Sequence, residues 1–214
     1  MINLHIMKEI APVILAAGDS SRMGYPKAIL PLRNDTFVGR ILSTLTRAGL
    51  TAPRIVLGRD AGRITPGIAD QRIRPLINPN PEQGQLSSMK LALKDLEQDC
   101  VACLFWPVDQ PGIKEEVVRR LVQLFRDSGA LIALPTYKGR RGHPAIFGRG
   151  IFQELLQTPI EAGPKDLVRR HAAQTALLPC NEPGVVEDID TPEEYFRFTG
   201  ETLKDALRRT LAVP

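Results

Sequence analysis

Cysteine is scarce in this sequence: three in 214 residues, an odd number. That excludes a scaffold built on disulfides and points to a reducing compartment. Cys100 and Cys103 form one C-x-x-C, but no second pair follows to complete a metal site. Both lie in Cys-Val-Ala-Cys-Leu-Phe-Trp, which reads as a buried strand, where positions three apart face opposite ways. Long apolar runs are lacking too, so no membrane span is expected. The first residues carry no basic leader segment and Pro12 interrupts the apolar stretch behind them, which predicts no signal peptide and a cytoplasmic protein. Excess charge is small, +4, and spread along the chain. That argues against a nucleic-acid partner and suits a small anionic substrate. Neither an internal repeat nor a low-complexity linker breaks the chain, which is read as one domain over residues 1–214.

What is present alternates. Residues 11–17 are a continuous apolar strand running into a glycine loop. Residues 36–49 place apolar side chains at 37, 38, 41, 42, 45 and 48, a helical spacing. Strands are expected at 53–58 and 73–77, then a turn-rich stretch from Asn78 to Gly84 and a helix over 86–97. Residues 101–106 are the strongest buried strand. A helix over 114–127 is followed by a strand at 130–135, a basic loop at 138–144 and a short strand at 145–147. Helices are expected at 150–157 and 165–172, and strands at 175–179 and 185–189. A last helix starts at Thr191-Pro-Glu-Glu194, with Thr191 as cap and Glu194 closing a capping box. Alternating strands and helices predict an α/β fold with a mostly parallel sheet covered on both faces. The segment 130–150 breaks the strict alternation.

Ligands of an open α/β sheet bind beyond the C-terminal ends of its strands, and three polar signals stand at such places. The loop after the first strand, 16–27, has small residues whose main-chain N–H groups can approach phosphate, with Arg22 and Lys27 to offset its charge. It is neither a Walker loop nor a Rossmann fingerprint, since no Gly-Lys-Ser/Thr and no Gly-x-Gly-x-x-Gly is present in it. Asp109 follows the most buried strand and suits Mg²⁺, which takes few protein carboxylates and fills its shell with phosphate and water. Asp188 and Asp190, in Glu-Asp-Ile-Asp-Thr, project to one side if that segment is extended. Each signal alone also has a plainer reading: a glycine turn with solvated cations, a turn-starting Asp, an acidic helix cap. Together they are the set that nucleotidyl transfer needs: a phosphate cradle, two cations and two acids for a metal near the α-phosphate.

Five segments spread over nearly the whole chain carry a resemblance. They are Leu15-Ala-Ala-Gly-Asp-Ser-Ser-Arg-Met-Gly24 with Pro26-Lys27, Asn78-Pro through Gly84 with Ser87-Ser88-Met89, Asp109-Gln-Pro111, Gly142-His-Pro144 and Asp188-Ile-Asp-Thr-Pro-Glu193. In this combination the chain resembles the MobA-like nucleotidyltransferases, and within them the molybdenum-cofactor cytidylyltransferase (MocA-like) branch. The resemblance implies a Rossmann-like three-layer α/β/α fold with a mostly parallel mixed sheet. It also implies Mg²⁺ as cofactor and transfer of CMP from CTP to the phosphate of a molybdopterin-type cofactor. Ala16-Ala17-Gly18 is the feature closer to the CTP-using branch. On this reading Arg22, Lys27 and Asp109 are catalytic, and Asp109 and Asp190 hold the metal. Leu15, Ala16, Ala17, Gly18, Ser21, Arg22, Lys27, Gln83, Gly84 and Ser87 bind the nucleotide. Arg141, Gly142, His143 and Pro144 bind the acceptor, with Arg140, Lys165 and Arg169 as weaker candidates. A recipient molybdoenzyme or its chaperone is the implied protein partner. The competing readings are a relative using GTP or a sugar or alcohol phosphate, and a non-catalytic nucleotide-binding protein that hands over cofactor.

Overall fold

The computed structural model describes residues 10–69, 72–96 and 100–211. Residues 1–9, on which the expectation of no signal peptide falls, and residue 97, the expected end of a helix, lie outside them. The strands are β1 (Ile10–Ala16), β2 (Pro31–Leu32), β3 (Asp35–Thr36), β4 (Arg54–Leu57), β5 (Arg74–Ile77), β6 (Ala102–Pro107), β7 (Ile132–Tyr137), β8 (Arg140–Arg141), β9 (Ala145–Gly148) and β10 (Thr175–Pro179). The helices are α1 (Phe37–Arg47), α2 (Ala61–Ile68), α3 (Gln85–Asp95), α4 (Glu115–Ser128), α5 (Phe152–Gln157), α6 (Gly163–Arg170), α7 (Pro192–Thr199) and α8 (Leu203–Leu211).

The main sheet runs β10-β7-β9-β6-β1-β4-β5, with β8 hung on β7. The pairings β6–β1, β1–β4, β4–β5 and β7–β10 are parallel. Strand β9 is inserted antiparallel between β6 and β7, which is the break in alternation expected at 130–150. The two-residue period of a strand separates the core into two faces. Ile10, Ile14, Ala102, Leu104, Trp106, Ile55 and Leu57 point to the face covered by α1, α2 and α4. Val13, Leu15, Cys103, Phe105 and Val56 point to the face covered by α3, α5 and α6. The result is a Rossmann-like α/β/α sandwich on a mostly parallel mixed sheet. No helix among the described residues is long and apolar enough to cross a membrane. All three cysteines are free, and burial pushes the Cys103 thiol up, as suits packing rather than redox chemistry.

A third, smaller core positions the site. Met23, Leu30, Leu32 and Phe37 meet Ile189, Tyr195 and Ala206. The Tyr195 hydroxyl donates to the Pro31 carbonyl (2.6 Å) and its ring stacks with Phe37. The segment that follows the glycine loop is thereby tied to α7, far along the chain. Helix α7 starts as its residues predict: Thr191 and Glu194 form the capping box, and Gly200 ends the helix.

Three expectations are corrected. Residues 185–189 are no strand: a 3₁₀ turn over Pro183–Val185 leads into irregular backbone. Its main-chain groups are taken by other loops, His143 N–H donating to Val185 O (2.8 Å) and Ile189 N–H to Asp109 O (2.9 Å). Helix α2 was not expected, because Gly62, Pro66 and Gly67 dilute its pattern and only Ile64 and Ile68 are buried. Within the basic loop, Arg140 and Arg141 form strand β8 against Tyr137 and Thr136.

Candidate active site

Strands β1 and β6 are adjacent and parallel, so the loops leaving their C-terminal ends meet. After β1 the chain turns through a self-braced loop. Ser21 N–H donates to Asp19 Oδ1 (2.9 Å), Gly24 N–H to Ser20 O (2.9 Å) and Lys27 N–H to Ser20 Oγ (3.3 Å). Leu15, Ala16 and Ala17 are buried, whereas Gly18 and Ser21 are exposed, and the space where a Gly18 Cβ would stand is open. Gly58, at the end of β4, closes the other wall: a Cβ there would come within 2.5 Å of Ala17 O. Its need for glycine follows from that approach, and sequence reasoning missed it, since it reads only as the end of an apolar run.

Lys27 lies between two acids that are distant in sequence. Its Nζ donates to Asp109 Oδ2 (3.3 Å) and, at closer range, to Asp190 Oδ1. Arg22 Nη2 reaches the other oxygen of Asp190 (2.8 Å). The Lys27 side chain is 12% exposed and the Arg22 side chain 67%, so Lys27 lies within the cluster and Arg22 at its solvent side. Burial pushes the Asp109 carboxyl up, and Asp188 and Asp190 add to that against the pull of Lys27. Burial pushes Asp190 up as well, but Lys27 and Arg22 outweigh it and hold that carboxyl below its ordinary value. Asp109 Oδ1 is buried with no hydrogen-bond partner in the structure.

The turn carrying Asp109 is itself fixed. Fully buried Trp106 donates Nε1–H to Gln110 O (3.0 Å), and Gln110, 3% exposed, donates Nε2–H to Asp188 Oδ1 (2.6 Å). Asp188 is thereby turned to Gln110, while Asp190 faces the cations. Gln110 stands in the sequence only as the middle of Asp109-Gln-Pro111; its burial, which no local pattern announces, is what makes it a brace.

A second group forms a slot beside this cluster. Gly142 and His143 line it with Gln85 and Met89 from α3, Phe105, Phe147, Arg141, Lys165 and Val168, around about 270 Å³. A Cβ at Gly142 would lie 2.1 Å from Val185 O, so only glycine lets this loop dock on the chain before Asp188. Burial lowers His143, opposed by Asp188, and keeps the imidazole neutral near pH 7. Arg141 is exposed at the slot, and among the described residues no ion pair joins it to the acid cluster. Lys165 faces the slot, whereas Arg169 pairs with Asp166 (2.7 Å) on the outer side of α6. Gln83 and Gly84 are exposed at the entry to α3. Ser87 is part-buried, and its hydroxyl is engaged within that loop by Asn78, Asn80 and Gly84.

Among the described residues, no set of three or more His, Cys, Asp or Glu side chains is arranged to hold a metal. Two carboxylates still fit a hard divalent cation that completes its shell with phosphate and water. The unpartnered Asp109 oxygen and the ammonium already lying between the two acids mark the place.

A cation-lined loop after β1, facing one carboxylate at the end of β6 and a second just before α7, is the equipment of a nucleotidyltransferase. The chain belongs to the MobA-like NTP transferase domain family, whose model matches residues 12–175. It is 30% identical over 198 residues to the nicotine blue oxidoreductase of Paenarthrobacter nicotinovorans, covering 88% of this chain and 96% of that one. With the molybdenum cofactor cytidylyltransferase of Escherichia coli it shares 29% over 193 residues, 88% and 95% of the two chains. The crystal structure of Rv0371c from Mycobacterium tuberculosis superposes with a TM-score of 0.78 at 28% identity, over 90% of this chain and 98% of that one. The manganese complex of the same protein superposes at 0.74 and 26%, covering 91% of this chain and all of that one.

Proposed function

We propose that the chain transfers CMP from CTP to the terminal phosphate of a molybdopterin-type cofactor and releases pyrophosphate. The observation that carries this reading is the Lys27 ammonium held between Asp109 and Asp190 beside the open Gly18 loop. An acceptor phosphate oxygen bonds to the α-phosphorus, and the bond from that phosphorus to the bridging oxygen of the departing pyrophosphate breaks. The acceptor is already ionised at neutral pH, so the chemical problem is bringing two anions together rather than removing a proton.

Arg22 and Lys27 neutralise the triphosphate and the charge that grows on the leaving group. Arg presents a planar fork and Lys a point charge, so the two are not interchangeable. Leu15, Ala16, Ala17, Gly18 and Ser21 present main chain and small side chains to base and ribose, and Gln83, Gly84 and Ser87 border the same cleft. Asp109 and Asp190 hold a divalent cation, Mg²⁺ in this reading, which when bound shields phosphate charge and orients the oxygens. The slot lined by Arg141, Gly142 and His143, with Pro144 next in the same loop but not among its lining residues, receives the acceptor, with apolar walls for a ring and Arg141 and Lys165 for its phosphate. Likeness to the E. coli cytidylyltransferase and the small residues at 16–18 support cytosine as the base.

The test is to incubate the protein with Mg²⁺, molybdopterin cofactor and each of the four NTPs, and to identify products by mass. The cytosine dinucleotide with pyrophosphate is the expected result. A guanine dinucleotide moves the chain to a different base. CTP binding without pyrophosphate release makes it a handover protein.

A further inference from the structure

We propose that Lys27 is a displaceable counter-ion. Its ammonium holds Asp109 and Asp190 together until a divalent cation takes its place, and that exchange releases Lys27 and Arg22 to the triphosphate. The inference rests on Asp109 and Asp190 being the metal carboxylates of the reading above.

Charge counting leads to it. In the structure Arg22 and Lys27 are matched against Asp109 and Asp190 and cancel them. A triphosphate arriving alone would meet cations already neutralised. A divalent cation arriving alone would have to displace an ammonium. Arriving together, the metal takes the acids and the phosphates take the freed cations, so each ligand strengthens the binding of the other.

The side chains suit an exchange. Lysine carries a compact charge on a flexible stem and can swing between partners, which the rigid guanidinium fork does less readily. The ammonium satisfies one oxygen of Asp109 and leaves Oδ1 buried and unpartnered. A half-satisfied buried carboxylate is held less firmly than a fully bonded one. The Asp190 backbone, by contrast, is pinned: its N–H donates to Glu194 Oε2 (2.8 Å) and the N–H of the preceding residue, Ile189, donates to Asp109 O (2.9 Å). The acids therefore stay in place while the cation changes.

The test is a Mn²⁺ titration without nucleotide, following the spectrum of free Mn²⁺ by electron paramagnetic resonance. Wild type, Lys27→Ala and each combined with Asp109→Asn are compared. Removing Lys27 should tighten Mn²⁺ binding by about tenfold or more, because the competing charge is gone. Mn²⁺ should also raise the melting temperature of Lys27→Ala more than that of wild type. Lys27→Gln, which keeps a hydrogen-bond donor on a shorter stem and removes the charge, repeats the comparison if Lys27→Ala does not fold. In a chelating buffer, inorganic tripolyphosphate should bind Asp190→Asn more tightly than wild type, because that substitution frees Arg22 and leaves Lys27 matched by Asp109 alone.

Equal or weaker Mn²⁺ binding by a folded Lys27 variant overturns the exchange, as does equal or weaker tripolyphosphate binding by Asp190→Asn. The metal reading is judged separately: it fails if Asp109→Asn leaves Mn²⁺ affinity unchanged in both backgrounds.

Discussion

Two ion-pair networks stand at opposite edges of the same sheet, and they differ in how completely they are bonded. At the N-terminal edge, Arg54 opens β4, Arg74 opens β5 and Asp95 ends α3. Arg54 Nε donates to Asp95 Oδ2 (2.8 Å), its Nη2 to Asp95 O (3.4 Å), and Arg74 takes the remaining carboxylate oxygen (2.5 Å). At the C-terminal edge, Lys27 bridges Asp109 and Asp190 and leaves Asp109 Oδ1 with no partner. The first network uses a rigid guanidinium fork and closes every oxygen of its acid, as a clamp between strand and helix requires. The second uses a flexible ammonium and keeps one oxygen in reserve, as a site that awaits a ligand requires.

Substituting one member of each network separates the two roles, and activity should show the largest effect. Asp109→Asn should cut pyrophosphate release by about 10²-fold or more while leaving the fold intact by circular dichroism. Urea unfolding should find the variant as stable as wild type or more so, by about 0.5–2 kcal/mol. The sign follows from the Asp109 carboxyl being raised: the folded state favours its neutral form, so ionisation detracts from stability as pH rises. The gain of the Asn variant over wild type should therefore appear above the ordinary carboxylate range and vanish in acid. A loss of stability on this substitution would erase the contrast between the networks.

The converse substitution, Arg54→Ala, leaves Asp95 half-paired against a mostly buried edge. It should cost about 3–5 kcal/mol in urea unfolding, with turnover per folded molecule unchanged. A changed KM for nucleotide would mean that the clamp reaches the site.

The smallest effect belongs to a third polar cluster, which tests whether a bonded network can also be sensitive to conditions. His171 bonds Gln174 through Nδ1 (3.0 Å) and Glu154 through Nε2 (2.6 Å), and these bonds raise its pKa. Arg170 also pairs with Glu154 (3.1 Å) and opposes the rise. A raised imidazole stabilises fully below its unfolded value and loses that contribution as pH climbs through the folded one. His171→Gln should thus lower the melting temperature more at about pH 5.5 than at about pH 9. An equal loss at both would assign His171 to packing alone.

The layers of the fold were legible because burial on both faces of a sheet writes continuous apolar runs, as in residues 11–17 and 101–106. The cap of α7 was legible because its hydrogen bonds are local. Residues 185–189 misled because apolar side chains are buried there without a ladder: Val185 belongs to the core under α1, α2 and α4, and Ile189 to the third core. In the site, Arg22, Lys27 and Asp109 could be picked out by standing where β1 and β6 end, whereas Asp190 was reached through an expected strand that is absent and stands instead just before α7. Their arrangement could not be read, since Lys27, Asp109 and Asp190 meet only after the sheet is assembled and α7 packs on the segment around Pro31. Gln110 and Gly58 escaped for the same reason, their roles being set by what approaches them from elsewhere in the chain.

That long-range closure has a consequence for the order of events at the ribosome. Lys27 and Asp190 are separated by 163 positions. At roughly 5–20 residues per second, the carboxylate emerges on the order of ten seconds or more after the lysine it neutralises. Until then Lys27 has only Asp109 of its two acids, Arg22 lacks the acid it pairs with, and the third core is without Tyr195 and Ala206. Closure of the proposed site is therefore among the last steps of a nascent chain, and a product halted before α7 would carry most of the sheet without Tyr195 to tie the loop segment down.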